Sequence, residues 1–120
     1  MEPPPVPSHA YRLFTPAEWA TVQSAGAFTG TALDTRDGFI HLSLPSEVKH
    51  TCGHYFKGQA LVLARVDLDG LRTRNDYVES RRAWFPHVLD LFIPASAFGL
   101  PATLMWDEAA AAHTGFPEGF

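Results

Sequence analysis

The sequence predicts a single α+β domain, and three observations carry that expectation. Apolar, strand-like segments, clearest in Ala60–Leu68 (ALVLARVDL), are interspersed with two segments punctuated as helices. A chain of 120 residues suits one hydrophobic core and leaves little room for a second. Hydrophobic residues make up 46% and charged residues 18%, the balance of a globular chain rather than a disordered one.

Residues 1–8 hold four of the ten prolines and read as a flexible, extended leader. The folded domain is expected over residues 9–107, with 108–120 (closing on AAAAHTGFPEGF) as a tail without a firm signal. Ala10–Phe14 reads as a strand. In TPAEWATVQSAG, Thr15 can cap a helix, Pro16 suits its first turn, Glu18 completes a capping box and Gly26 suits the closing left-handed position. The segments TALDT and FIHLS flank Asp37-Gly38, a dipeptide that favours a two-residue type I′ hairpin. SLPSEVKHTCGHYFKG predicts a second helix, capped by Ser43 or Ser46 and ending near Gly58. Ala60–Leu68 predicts a central strand covered on both faces and ended by Asp69-Gly70. LRTRNDYVESRRAW reads as a long polar loop with a little strand. In the strand FPHVLDLFI, Pro86 marks an edge or a bulge. PASAFG suits a helical turn and ATLMWDE a last strand, so the order is β-α-β-β-α-β followed by more β. No internal repeat is visible.

The formal net charge is −4, and no Lys/Arg run exceeds two residues. Double-stranded nucleic acid and anionic membrane are therefore not expected partners. A small molecule or nucleotide is, because a few arginines in a cleft suffice to bind one. Cys52 is the sole cysteine, which excludes an intramolecular disulfide and favours a cytoplasmic setting. MEPPPVPSHAYRLF has neither the basic nor the apolar region of a signal peptide, and no segment is long enough to span a bilayer.

Side-chain alternation in a strand over Phe39–Ser43 places Ile40, Leu42 and Leu44 on one face. Phe39, His41 and Ser43 fall on the other, so His41 faces a cleft or solvent. The hairpin register would set Asp34 opposite His41, where a carboxylate fixes the tautomer of an imidazole. His41 is then either a hydrogen-bonded structural histidine or a cleft residue. His50 and His54 share a helical face but lack a neighbouring glutamate and a third ligand, so no metal is expected. Cys52, mid-helix, reads as a buried, inert thiol. No phosphate-binding glycine loop occurs. Arg72, Arg74, Arg81 and Arg82 crowd one stretch with Asp76, Tyr77 and Glu79. That stretch is either a salt-bridged loop or a mobile lid carrying phosphate-binding guanidinium groups and a carboxylate. His87, beside Trp84, Phe85 and Pro86, is either a packing corner or a second site histidine.

Tyr11, Trp19 and Gly26, then DGFIHLS, LVLARVDL and FPH, together resemble the small bacterial family catalogued as domain of unknown function nine-five-two. The resemblance spans roughly Ala10 to Phe98. It implies an ADP-ribosylation-like split β-sheet with two or three short helices, similar to ADP-ribosyltransferases and RNA 2′-phosphotransferases. Those proteins bind NAD or an ADP-ribosylated intermediate in the opening of the sheet, which makes NAD, as substrate, the implied cofactor here. By the same resemblance His41 and Ser43 line the cleft. The family's Tyr-His-Ile is here Tyr11-Arg12-Leu13, and its FPHxYG is Phe85-Pro86-His87-Val88-Leu89-Asp90.

Three functional readings stand open at this point. In the first the protein is a transferase acting at C1′ of a nicotinamide ribose. His41, Glu79 and His87 are its candidate catalytic residues, with Asp76 an alternative to Glu79. Tyr11, Arg12, His41, Ser43, Arg72 and Arg74 would bind the nucleotide. In the second the protein is a non-catalytic ligand-binding module. In the third it is an enzyme for an unrelated small molecule, with His41 and His87 as general acid and base.

Overall fold

The computed structural model describes residues 2–120. Along the chain the elements are β1 (His9–Phe14), α1 (Pro16–Ala25), β2 (Ala27–Phe28), α2 (Ala32–Asp37), β3 (Ile40–His41) and α3 (Pro45–Tyr55). There follow β4 (Leu61–Asp67), β5 (Thr73–Val78), β6 (Ala83–Val88), β7 (Ile93–Pro94), a 3-10 turn at Ala95–Ala97, β8 (Ala102–Asp107) and β9 (Ala112–Thr114). This is an α+β domain built on a curled antiparallel sheet. No helix among the described residues is long and apolar enough to cross a membrane.

β4 lies inside the larger sheet, in the order β1-β4-β8-β9, because both its faces are apolar. Val62, Ala64 and Val66 join Phe14, Val22, Phe28, Ile40 and Ile93 in one core under α1. Leu61 and Leu63 join Val48, Cys52 and Leu104 in a second core under α3. Each fully buried aliphatic side chain contributes about 1.5–3 kcal/mol. A three-stranded sheet, β3-β6-β5, meets the larger one at a seam of two bonds: Tyr11 N–H donates to the Ser43 carbonyl (2.8 Å) and Ser43 N–H to the Tyr11 carbonyl (2.9 Å).

α1 begins and ends as its punctuation predicts, with a complete capping box between Thr15 and Glu18 and Gly26 at φ 78°. The Asp37-Gly38 hairpin does not form. TALDT is instead part of α2, whose own capping box joins Thr31 to Asp34 and whose C-terminal cap is Gly38 at φ 84°. The same glycine satisfies a hairpin turn and a helix end, and the capping box decides between them. The strand after it shrinks to Ile40–His41, with Ser43 adding one bridge. α3 is capped by Leu44 without a side-chain bond, not by Ser43 or Ser46.

The polar stretch expected as a long loop with a little strand holds β5, which pairs along its whole length with β6. Its alternation is masked because its outward residues are charged while Asn75 is buried. Pro86 sits neither at an edge nor at a bulge but in the middle strand. Its carbonyl accepts from Leu42 N–H just past the end of β3, and the return bond to the Leu42 carbonyl is the one a proline cannot give. The leader is docked rather than free: Asn75 Nδ2 donates to the Pro4 and Pro5 carbonyls, and Val6 packs on the core. Beyond residue 107 the chain returns as β9, and Phe116 and Phe120 pack on the second core.

Candidate functional site

The face of the small sheet opposite Ile40 and Leu42 carries the site. Cross-strand register aligns His41 with His87 and His87 with Arg74, one row over three strands. Two residues back along each strand the same face presents Phe39 and Phe85, and two residues on along β5 it presents Asp76. Phe39 stacks on His87 with ring centroids 4.3 Å apart, and the His41 ring meets His87 edge-on at 5.2 Å.

Each imidazole is held by acid. His41 Nδ1 lies 2.7 Å from Asp34 Oδ1 and its Nε2 lies 2.9 Å from Asp37 Oδ2. A carboxylate only accepts, so both bonds coexist when the ring carries both protons. Asp34, with 0% of its surface exposed, also accepts from Arg12 through both terminal nitrogens, from Thr31 N–H and hydroxyl, and from His41 N–H. Burial alone raises its pKa. The His41 bond, the Arg12 charge and the backbone donors outweigh that and hold it far below the usual carboxylate range.

His87 is different. It is 5% exposed, and its Nδ1 lies 2.6 Å from Asp76 Oδ2, which Arg74 Nε also holds at 3.1 Å. Burial lowers the His87 pKa; the Asp76 partner raises it, and the His41 and Arg74 charges lower it again, leaving it below the ordinary histidine value. The neutral ring keeps its proton on Nδ1, toward Asp76. Nε2 is then a lone-pair acceptor with no hydrogen-bonding partner among the described residues.

A cleft of about 630 Å³ opens beside this row. Tyr11, Arg12, His41, Ser43 and His87 all line it, so five of the residues singled out in the sequence come together. Leu33, Tyr55 and Phe56 add an apolar wall, and Thr31, Thr51 and Ser80 add hydroxyls. Three other candidates stand apart from the lining. Arg72 pairs with Asp90 and Arg74 with Asp76, both largely exposed. Glu79 is exposed at the tip of the β5–β6 hairpin, between the lining residues Val78 and Ser80. His50 and His54 stack at 5.7 Å on the outside of α3. Cys52 is buried, and burial pushes its thiol up to about 11.

Sequence reasoning missed Asp37 as a partner of His41. The pattern Thr31-x-x-Asp34 with Gly38 was the available signal, since a helix ending there brings Asp37 within reach. It also placed Asp34 opposite His41 through a hairpin. The contact is real, but the helix N-terminus makes it.

Fold and site together define a small α+β domain with a histidine-lined cleft. Residues 13–99 match the family model described as a protein of unknown function, DUF952, and the chain belongs to that family. It is similar to protein CC0527 from Caulobacter crescentus, solved by X-ray crystallography, at 32% identity and a TM-score of 0.77, covering 88% of this chain and 93% of that one. The solution NMR structure of CC0527 gives 32% identity and a TM-score of 0.69 over 85% and 89%. No curated protein matches the chain.

Proposed function

We propose that the cleft binds a nucleotide of the NAD or ADP-ribose kind, and that His87 Nε2 accepts the proton of a hydroxyl at the reacting ribose. The observation that carries this is the Asp76–His87 pair: Nδ1 is held 2.6 Å from a carboxylate oxygen, and the other ring nitrogen is free on a residue that lines the cleft. The cleft volume lies within the range of small-molecule sites, and its mixture of apolar wall and hydroxyls suits a base and a sugar. The ADP-ribosylation-like fold implied by the family resemblance places a nucleotide in the opening of a curled sheet. In this reading the nucleotide would lie in the cleft beside the Tyr11–Ser43 seam, which both residues line.

In the transferase form of this reading, an acceptor hydroxyl attacks C1′ as the nicotinamide leaves. The C1′–N bond breaks, a C1′–O bond forms, and the hydroxyl proton passes to His87. His41, between two carboxylates, is a fixed ring beside the reacting sugar rather than a proton carrier. Tyr11, Arg12 and Ser43 form the floor under the sugar. Glu79 stands at the mouth, where it would orient the acceptor. Arg72 and Arg74 are left for a part of either molecule that projects beyond the cleft. Binding without chemistry is the second reading, favoured by the spending of Arg12 on Asp34 and the His41 carbonyl.

An amide-resolved NMR titration with NAD and ADP-ribose, followed by a NAD-consumption assay, tests both. Saturable shifts centred on His41 and His87 are expected, with His87→Gln retaining binding and losing turnover. Binding without consumption in the wild type selects the second reading. No shifts at millimolar ligand would remove the nucleotide from the cleft altogether.

A further inference from the structure

Two guanidinium groups line the cleft, and they are held very differently. Arg12 grips Asp34 with both terminal nitrogens at 3.1 Å and donates to the His41 carbonyl at 2.8 Å. Its partner is fully buried, so no ligand can take Asp34's place. Arg81, in the β5–β6 turn, has one short bond, from Nη2 to Glu47 Oε1 at 2.9 Å. Its other contacts, to the Glu47 carbonyl at 3.4 Å and Thr51 Oγ1 at 3.5 Å, are at the outer limit of hydrogen bonding. Nε has no partner among the described residues. Arginine satisfies a carboxylate or phosphate best through two parallel bonds, and Arg81 makes only one.

We propose that Arg81 is the phosphate-recognising residue of the cleft, and that a ligand phosphate binds by displacing the Glu47 carboxylate from its guanidinium. This rests on the nucleotide reading above and names the residue that would hold the nucleotide's phosphates. The exchange leaves the guanidinium, 17% exposed, paired throughout, because the phosphate takes the place of the carboxylate it displaces. Position supports it as well. The guanidinium lies over the Phe85 ring, 5.1 Å from its centroid. His87 follows on the same face two residues along β6, about 7 Å further on by strand rise. A cation, an aromatic platform and an imidazole acceptor therefore stand in line. That order matches a phosphate, a planar or sugar body, and a hydroxyl in one ligand.

Calorimetric titration of the wild type, Arg81→Gln and Glu47→Gln with ADP-ribose and with adenosine tests the exchange. Arg81→Gln is expected to weaken ADP-ribose roughly ten- to a hundredfold, the effect of losing a charge-assisted bond, and to leave adenosine unchanged. Glu47→Gln removes the competing carboxylate and is expected to tighten ADP-ribose. Equal affinity of Arg81→Gln and wild type for ADP-ribose overturns the assignment while leaving the nucleotide reading intact. So does a loss in Glu47→Gln as large as that in Arg81→Gln. Failure of the wild type to bind either ligand overturns the nucleotide reading, and the exchange with it. If Arg81→Gln does not give a folded spectrum, the direction of the Glu47→Gln change decides.

Discussion

Donors from three residues converge on the carboxylate of Asp34: the Arg12 guanidinium, the Thr31 backbone and hydroxyl, and the His41 backbone and ring. The same side chain closes the capping box of α2, fixes the His41 ring and neutralises Arg12. Removing it strands a part-buried guanidinium and two backbone donors, the N–H groups of Thr31 and His41. Asp34→Ala is therefore expected to cost about 3–5 kcal/mol of folding stability, measured by urea unfolding. A loss below about 1 kcal/mol would show that the cluster is not what holds this corner. His41 and His87 differ only in their surroundings. One has both nitrogens on carboxylates, while the other is buried with one nitrogen free, and that difference separates a fixed ring from an acceptor. Nothing in the residue types announces it.

At the scale of elements, capping chemistry separates α1 and α2 from α3. α1 and α2 each carry a full capping box and a left-handed glycine, whereas α3 starts at Leu44 with no side-chain cap. Thr15→Ala is accordingly expected to cost about 1 kcal/mol, and Ser46→Ala to stay within about 0.5 kcal/mol, in parallel thermal or urea unfolding. Equal costs would mean that Ser46 caps α3 in solution after all. α1 was legible because cap, first-turn proline and C-terminal glycine agree. α2 was not, because Asp37-Gly38 is also a hairpin signal and six residues are too few to show a helical period. β5 was hidden by charge: Arg74, Asp76 and Tyr77 face outward or across the sheet, and only pairing with β6 makes the segment a strand.

For the whole molecule, the ionisable groups of the His41–His87 row and their partners predict how stability follows pH. The pKa values of His87, Asp34 and Asp76 are all lower in the folded protein than in the unfolded chain. A group of that kind binds protons more weakly when folded, so its contribution is present above the unfolded value and lost as pH falls. Two declines are expected in the urea midpoint. The first begins below about pH 6.5, as His87 protonates preferentially in the unfolded chain, and the second below about pH 4, from the two carboxylates. His87→Gln should remove the first and keep the second. A wild-type midpoint that is flat across the upper window would contradict the burial of a neutral His87.

The sequence by itself determined the α+β class, the central strand (read as Ala60–Leu68, found as Leu61–Asp67), the first helix with both its ends, and the placing of His41 and Ser43 on the side of their strand away from the core. These follow from local rules, since alternation, capping and burial periodicity act within a few residues of chain. The tertiary structure alone decided that Pro86 lies in a middle strand, that His87 meets His41 across β3 and β6, and that Arg81 reaches α3 from 34 residues away. Those contacts join segments distant in the chain. Which charge meets which is set by register and packing, and neither can be read from one segment at a time.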